Sequence, residues 1–280
     1  MLKQRVVTAM LALPAFFSLF YFAPAWVLMV FFTALVGLGT YEMAAMLTPR
    51  LESIFNDQGG ASKKRPIWII PTAVGFACLI FLGSSIYSED GGRGMVLAGM
   101  LGGILIACFC SPDNETAFGR TVALLVSIVY GSFPWLATWD LYLMGPKSQY
   151  VFFLCVVVWS GDTGAYFGGK KFGKHKLAPR MSPKKTWEGS IAGLMASVAG
   201  GALCNLAYGG SLGPWSAILL SSFAGGAFGQ MGDLVESTFK RFAGVKDSGR
   251  IFPGHGGFLD RVDGVLFAAP VIWFILYNLV

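Results

Sequence analysis

Residues 150–168 read YVFFLCVVVWSGDTGAYFG, an apolar run that ends in a short polar motif. The run approaches the roughly 20 apolar residues that a helix needs to cross the hydrocarbon core of a bilayer. Asp162 is its one carboxylate, and Lys170 and Lys171 follow shortly after it. This length, with a single charge inside and a basic flank, predicts a transmembrane helix.

The composition of the whole chain agrees with that prediction. Of its 280 residues, 55% are hydrophobic and 13% are charged, whereas soluble domains usually carry about 25% charged residues. A water-soluble protein needs a polar shell that so few charges cannot supply, so a soluble globular enzyme and a disordered chain are both excluded. The apolar runs are too long for the alternating strands of a membrane β-barrel. We therefore predict an all-α, polytopic integral membrane protein.

Nine apolar segments are candidate transmembrane helices. They lie at about 6–22, 25–47, 67–87, 94–111, 120–143, 150–168, 190–208, 214–232 and 264–280. The fourth is the weakest candidate, because it is short and rich in glycine. We interpret the chain as one membrane domain over residues 1–280. Within it, residues 1–149 form a scaffold with dimer or lipid contacts, and residues 150–280 carry the catalytic helices and cytoplasmic loops.

The basic residues predict the orientation of these segments. With the N-terminus inside, 19 of the 21 lysines and arginines fall on the cytoplasmic side, and Arg93 and Lys147 are the exceptions. This asymmetry follows the positive-inside rule and predicts a cytoplasmic N-terminus and an outside C-terminus. It also accounts for the net charge of +6 without a nucleic-acid partner.

Two acids, Glu42 and Asp140, lie well inside the first five segments. Intramembrane carboxylates are often functional, but both are near the end of a segment. We interpret them as structural residues that make interfacial or interhelical hydrogen bonds. The chemistry is therefore expected after residue 150, on the cytoplasmic side.

The first polar cluster there is centred on Asp162, which lies between Gly161 and Gly164 at the cytoplasmic end of its segment. A carboxylate near membrane depth costs roughly 2.5–3.5 kcal/mol on insertion scales unless it is compensated. Glycines let a ligand approach the backbone. A helix-end cap is the structural alternative, and we favour a functional role.

The second cluster is the motif SPKKTWE at 182–188, within the basic loop 169–189. The first lysines of the loop are explained by attraction to anionic lipid headgroups. In the motif, Ser182 suits an N-cap and Pro183 a first helical position. Its two lysines would then occupy the first helical turn, where the helix dipole disfavours cations. A phosphate bound at that N-terminus would resolve the conflict, so the motif predicts a phosphate site.

The third cluster lies between the last two segments. Asp233, Glu236 and Ser237 share one helical face, and Asp260 and Asp263 lie one turn apart at the start of the last segment. Such acidic pairs can supply oxygen ligands for Mg²⁺, which prefers few carboxylates together with substrate phosphates. The structural alternative is that Asp260 and Asp263 only complement the helix dipole.

The same cluster contains a glycine turn, PGHGG at 253–257. Its backbone N–H groups could line an anion. His255 fits either an acid–base role or a plain hydrogen-bonding role, and both stay open. Lys240, Arg241 and Lys246 offer further phosphate contacts.

This third cluster resembles the signature of the phosphatidate cytidylyltransferase (CDP-diacylglycerol synthase) family. The pattern reads Ser237-x-x-Lys240-Arg241, Lys246-Asp247, Pro253-Gly-His-Gly-Gly257 and Asp260-Arg261-x-Asp263. The stretch 182–189, the SGDT motif around Asp162 and the nine-segment layout are also similar to the family. The resemblance therefore extends over the whole chain, although the N-terminal half matches only in character.

The resemblance implies a reaction and its participants. CTP and membrane phosphatidate would give CDP-diacylglycerol and pyrophosphate in phospholipid biosynthesis, with Mg²⁺ as the cofactor and a second cation left open. The lipid phosphate, already ionised near neutral pH, would attack the α-phosphorus of CTP. Catalysis would then rest on positioning and charge neutralisation rather than on a strong general base. A homodimer is also left open.

The resemblance implies roles for individual residues as well. The residues expected to be catalytic are Asp233, Lys240, Arg241, Asp260 and Asp263, and the three aspartates are the expected metal ligands. The residues expected to contact substrate are Asp162, Ser182, Lys184, Lys185, Thr186, Glu188, Ser237, Lys246, Asp247, His255, Gly256, Gly257 and Arg261.

The sequence disfavours some alternative functions more strongly than others. A CDP-alcohol phosphatidyltransferase is disfavoured because the D-G-x-x-A-R motif is absent, whereas a dolichol kinase-like relative that acts on another lipid is harder to exclude. A transporter of anionic metabolites is disfavoured by the lack of a detectable inverted repeat, and a lipid-anchored scaffold leaves the acids unexplained. A compact chain without a transit peptide predicts the plasma (inner) membrane, with the active site facing the cytoplasm.

Overall fold

The computed structural model describes residues 18–55, 67–87, 89–251 and 256–280. Eight helices are described: α1 Ala25–Phe55, α2 Ile69–Ile86, α3 Glu89–Phe109, α4 Asn114–Leu143, α5 Gln149–Phe172, α6 Trp187–Ala207, α7 Trp215–Phe242 and α8 Leu259–Leu279. A 3-10 turn at Pro146–Ser148 precedes α5. Between α5 and α6, the strands β1 (Lys176–Ala178) and β2 (Ser182–Thr186) pair in an antiparallel hairpin.

Eight of the nine predicted segments coincide with these helices. Most of the first segment, 6–22, lies outside the described residues, although the backbone is helical at 18–22. Within the described chain, six helices are long and apolar enough to cross a membrane: α1, α2, α4, α5 with its 3-10 turn, α6 and α8. The apolar part of α3, Gly94–Phe109, is shorter. The chain is therefore a helical, multi-pass membrane protein, and nine spans with their orientation stay a prediction.

Small residues hold the helices around the polar clusters close together. A Cβ on Gly164 of α5 would overlap Ala196 of α6 and would lie 2.9 Å from the Ala192 carbonyl oxygen. A Cβ on Gly232 of α7 would lie 2.5 Å from the Asp263 carbonyl oxygen of α8. Lipid provides no hydrophobic drive between helices, so close backbone approach through small residues supplies the packing. These contacts hold α5 against α6, and α7 against α8, near the polar clusters.

An aromatic core joins the N-terminal helices to the start of α8. The ring of Phe32 on α1 lies 5.9 Å from that of Trp135 and 5.8 Å from that of Trp139, both on α4. Trp135 also stacks on Phe258, with 6.0 Å between ring centroids. Because Phe258 immediately precedes α8, the packing of the N-terminal half reaches the helix that carries Asp260 and Asp263.

The prediction that Ser182 begins a helix is wrong. Residues Ser182–Thr186 form β2, and α6 begins only at Trp187. Thr186 is the N-cap, and its side-chain oxygen accepts a hydrogen bond from the Gly189 N–H at 3.2 Å. The fixed φ of Pro183 suits an extended strand at an edge as well as a first helical turn. The pairing of β2 with β1 decides between the two, and both motif lysines therefore lie on the strand.

Candidate active site

A cavity of about 440 Å³ lies where α5, the hairpin, α6 and α7 meet. Its lining residues are Asp162, Ala165, Tyr166, Gly169, Lys170, Leu177, Lys184, Lys185, Thr186, Gly189, Ser190, Gln230 and Asp233. Of the residues predicted to form the site, the cavity brings together Asp162 from α5, the three residues 184–186 from the hairpin, and Asp233 from α7. The first two polar clusters of the sequence and one acid of the third thus share a single site.

We call Asp162, Lys184, Lys185 and Asp233 the open cluster, because their side chains face this cavity. Lys185 Nζ lies 2.7 Å from Asp233 Oδ2, and the two side chains are 24% and 42% exposed. Lys185 Nζ also donates to the Gln230 carbonyl oxygen at 3.3 Å. With Lys170, three lysines face two carboxylates here, so the cavity has an excess of positive charge that suits a phosphate-bearing ligand.

Asp162 differs from its prediction in one respect. It does not lie at the end of its helix, because α5 continues to Phe172. The helix-end cap that was the structural alternative is therefore excluded. The side chain of Asp162 instead projects from the body of α5 into the lysine-lined cavity.

A second group of charged residues is buried beside the first, and we call Glu236, Lys240, Ser248 and Asp260 the closed cluster. Lys240 Nζ lies 2.9 Å from Glu236 Oε2 and 2.6 Å from Asp260 Oδ1. Asp260 Oδ2 accepts hydrogen bonds from the Ser248 N–H at 3.0 Å and the Gly257 N–H at 2.8 Å. Both oxygens of Asp260, and the ammonium of Lys240, are therefore engaged inside the protein.

Asp263 lies between the two clusters. Its Oδ1 accepts a hydrogen bond from the Gly264 N–H at 2.8 Å, and its carboxylate interacts electrostatically with Asp233 and Glu236. Ser237 Oγ donates to Asp233 Oδ1 at 3.4 Å. The carboxyl groups of Glu236 and Asp263 form a hydrogen-bonded pair. Carboxyl groups are thus concentrated around Asp263.

A divalent cation fits this concentration of carboxylates. Asp263 interacts with Asp233 and forms a hydrogen-bonded pair with Glu236, so carboxyl groups surround it. Across the part of the chain that the structure describes, no group of three or more His, Cys, Asp or Glu side chains is arranged to hold a metal by itself. Mg²⁺ is commonly bound by one or two carboxylates together with substrate phosphates, so a cation here would need further ligands from a bound phosphate.

Other predicted site residues lie outside the cavity. Glu188 accepts a hydrogen bond from the Lys174 N–H at 3.0 Å, and its Oε1 lies 2.6 Å from His175 Nδ1. It therefore ties the turn after α5 to the start of α6. Ser182 is half-buried at the start of β2.

The remaining predicted residues surround the end of α7 and the start of α8. Arg241 is exposed, and its Nη1 donates to the Val245 carbonyl oxygen at 3.4 Å. Lys246, Asp247 and Arg261 are exposed as well.

The glycine turn is described only in part. His255 lies outside the described residues, as do the three residues before it. Gly256 has a φ of +83°, a conformation that glycine adopts without the penalty a side chain brings. Gly257 supplies one of the N–H groups that bind Asp260.

A polar pair in the wall of the cavity, Ser190 and Gln230, was not predicted from the sequence. Gln230 Nε2 donates to the Ser190 carbonyl oxygen at 3.1 Å, and Ser190 Oγ donates to Gln230 Oε1. The pair links α6 to α7, and the backbone carbonyl of the same Gln230 accepts the hydrogen bond from Lys185. Gln230 could have been found, because it is a polar side chain inside the eighth apolar segment, where such residues are uncommon.

The two acids of the N-terminal half have different outcomes. Glu42 accepts hydrogen bonds from Ser248 and from the start of α8, so its structural interpretation is confirmed. The side-chain carboxyl of Asp140 makes no hydrogen bond to the described residues, and Asp140 lines a separate cavity of about 580 Å³ with Trp273 and Tyr277. The interhelical hydrogen bond expected of Asp140 is therefore not found.

Comparison with known proteins gives a consistent set of relatives. A sequence model of the cytidylyltransferase family matches residues 3–279. The phosphatidate cytidylyltransferase of Bacillus subtilis is 41% identical over 163 residues, which are 58% of this chain and 59% of the relative. That of Staphylococcus saprophyticus is 39% identical over 179 residues, 63% of this chain and 66% of the relative. That of Brucella suis is 52% identical over 126 residues, 44% of this chain and 45% of the relative. The aligned stretches thus span less than two thirds of each relative's length.

Proposed function

This chain belongs to the cytidylyltransferase family, and we propose that it transfers the cytidylyl group of CTP to phosphatidate, releasing pyrophosphate. The relatives are named for this activity. The product would be CDP-diacylglycerol, an intermediate of phospholipid biosynthesis. The resemblance seen in the sequence leads to the same reaction.

The open cluster is the observation that carries this proposal. Three lysines and two carboxylates from three different elements (α5, β2 and α7) line one cavity of about 440 Å³, a volume within the range of small-ligand sites. An excess of lysine suits the phosphates of CTP and of the lipid. The carboxylates suit a cation that accompanies those phosphates.

The chemistry needs charge neutralisation more than proton transfer. An oxygen of the lipid phosphate forms a bond to the α-phosphorus of CTP, and the bond from that phosphorus to the bridging oxygen of the β-phosphate breaks. The electron pair leaves with pyrophosphate. Lys184 and Lys185 would bind the negatively charged phosphate oxygens. The cavity walls would hold the two substrates so that the attacking oxygen, the α-phosphorus and the leaving oxygen lie in line. The attacking oxygen is already ionised, so no general base is assigned.

We propose that Mg²⁺ binds at Asp233 and Asp263 together with the nucleotide phosphates. The cation would neutralise the phosphate charge that the lysines leave unpaired. Asp260 is the third predicted ligand. Before its carboxylate could bind a cation, it would have to lose its ion pair with Lys240 and its hydrogen bonds from two backbone N–H groups. We therefore assign Asp260 to holding the loop before α8.

An apolar groove supports access for a lipid substrate. Ile191, Leu194 and Met195 of α6 line it with Phe223 of α7. Ser190, the residue before Ile191, lines the cavity that contains the open cluster. A phosphatidate molecule would place an acyl chain along the groove and its phosphate near the lysines.

We further propose nine spans with the N-terminus and the active site in the cytoplasm, in the plasma membrane. The distribution of lysine and arginine supports this orientation. The experiment is a C-terminal fusion to alkaline phosphatase or to green fluorescent protein. An outside C-terminus predicts an active phosphatase and a dark fluorescent protein, and the opposite pair of results would reverse the orientation.

The reaction itself is tested with two differently labelled nucleotides. Detergent-purified protein is incubated with phosphatidate, Mg²⁺ and CTP labelled with ³²P at either the α- or the γ-phosphate. Transfer of a cytidylyl group predicts label in the lipid extract from α-labelled CTP only. Label from γ-labelled CTP would indicate a kinase, and no lipid label from either nucleotide with folded protein would reject the proposal.

A further inference from the structure

Glu42 is an acid of the N-terminal half that the proposed reaction does not use. It lies in the middle of α1, and only 1% of its surface is exposed. Its carboxylate accepts three hydrogen bonds of 2.9 Å: from Ser248 Oγ, from the Phe258 N–H and from the Leu259 N–H. All three donors are more than 200 residues away along the chain. The carboxylate is therefore held by the hydroxyl of Ser248 and by two backbone N–H groups of one short segment.

That segment is the start of α8. The first N–H groups of a helix have no partner within the helix, and Phe258, at the N-cap position, has no side chain that can bind them. Glu42 supplies the missing acceptor from another helix. Its negative charge also interacts favourably with the positive end of the helix dipole.

Glu42 meets the closed cluster through one shared hydroxyl. Ser248 Oγ lies 2.9 Å from Glu42 Oε2 and 3.2 Å from Asp260 Oδ2. A hydroxyl has one proton, and the shorter distance favours donation to Glu42. The Ser248 N–H donates to Asp260. Ser248 is therefore hydrogen-bonded to both carboxylates, through its hydroxyl to Glu42 and through its backbone to Asp260.

Two glycines leave room for this carboxylate. A Cβ on Gly249 would overlap Glu42 Oε1, and a Cβ on Gly257 would lie 2.6 Å from Glu42 Oε2. Residues with side chains at these positions would displace Glu42 or the loop. The loop on either side of the glycine turn is therefore fitted closely around the carboxylate of α1.

We infer that Glu42 is a positioning residue for the reaction: from α1 it fixes the start of α8 and the loop at Ser248, and thereby the placement of Asp263. Glu42 contacts no cavity residue itself. A displacement of about 1 Å at a reacting centre can lower the rate about 100-fold. The inference rests on the proposed function, because the rate in question is that of cytidylyl transfer.

The test compares Glu42→Gln with wild type and with Asp140→Asn as a matched control. Glutamine keeps the shape of the side chain, but one oxygen becomes an NH₂ group that faces donors. Asp140→Asn removes another carboxylate of the N-terminal half, one that has no role in the site. We expect kcat to fall about 10- to 100-fold in Glu42→Gln, with the KM for CTP changed less than about threefold, and Asp140→Asn to match wild type.

A second readout separates positioning from general stability. Hydrogen–deuterium exchange of each variant is followed across the chain, together with the thermal midpoint. If Glu42 acts by positioning, hydrogen–deuterium exchange in Glu42→Gln is faster only in peptides covering residues 244–265. The thermal midpoint of this variant then stays close to that of wild type. Gly257→Ala, which crowds the same carboxylate, is expected to reproduce the local change.

The results have distinct meanings. Wild-type kcat in Glu42→Gln would overturn the positioning role, and so would a lowered kcat with faster exchange throughout the chain. An inactive wild type would instead reject the proposed function. In that case local exchange around the start of α8 would still decide whether Glu42 holds this segment.

Discussion

The open and closed clusters both pair lysine with carboxylates, but their side chains are exposed to different extents. In the open cluster, Lys185 and Asp233 are 2.7 Å apart with side chains 24% and 42% exposed. In the closed cluster, Lys240 is 11% exposed and its partners Glu236 and Asp260 are 0% and 11% exposed. An exposed ion pair contributes about 0–1 kcal/mol, whereas breaking a buried pair from one side costs about 3–5 kcal/mol.

This difference assigns different tasks to similar lysines. A weakly held lysine such as Lys185 can exchange its carboxylate for a substrate phosphate at little cost. Lys240 cannot leave two buried carboxylates without destabilising them. We therefore expect Lys240, the signature lysine of the third sequence cluster, to stabilise the structure around the site, and the lysines of the hairpin to be available to a phosphate-bearing ligand.

The largest expected effect is on stability, in Lys240→Ala. The substitution leaves Glu236 and Asp260 buried without a counter-charge, so we expect the free energy of unfolding to fall by about 3–5 kcal/mol. Denaturation in detergent micelles, followed by circular dichroism, measures this change. A variant as stable as wild type would mean that the two clusters do not differ as described.

Asp263→Asn tests the residue between the clusters. Amide for carboxylate keeps the shape and the hydrogen bond from Gly264, but removes one negative charge from the proposed Mg²⁺ site. We expect turnover about 100- to 1,000-fold lower, as for the loss of one transition-state contact, with the thermal midpoint unchanged. Normal turnover would remove Asp263 from the site.

The smallest expected effect is at the N-cap of α6. Thr186→Ala removes the acceptor for the Gly189 N–H, and loss of such a cap costs about 0.5–2 kcal/mol. Thr186→Ser keeps the acceptor and is the control. A thermal melt that does not distinguish alanine from serine would contradict the assignment of Thr186 as the cap.

Much of the fold could be predicted from the sequence, because membrane helices need long apolar runs. The runs located eight helices, and the charge pattern pointed to the C-terminal half. The start of α6 was misplaced because Ser182 and Pro183 suit either a helix start or a strand. The choice between helix and strand depends on the pairing of β2 with β1, and this pairing cannot be predicted from the residues of β2 alone.

The residues that line the cavity were easier to predict than the contacts between the charged side chains. Asp162, Lys185 and Asp233 were identified, because charged residues near membrane depth stand out in an apolar sequence. The engagement of Asp260 by Lys240 and by backbone N–H groups could not be predicted, since it depends on the fold of the loop before α8. The contact from Glu42 to this loop spans more than 200 residues, and nothing in the local sequence links the two.

The most direct test of the open cluster compares two lysines of the same hairpin. Lys185 faces the cavity from β2, whereas Lys176 is exposed on β1 and does not line the cavity. Transfer of α-³²P label from CTP to phosphatidate is measured for Lys185→Ala and Lys176→Ala in parallel. We predict a loss of about 100- to 1,000-fold in Lys185→Ala and wild-type transfer in Lys176→Ala. Equal rates in the two variants would contradict the claim that the open cluster is where the phosphates react.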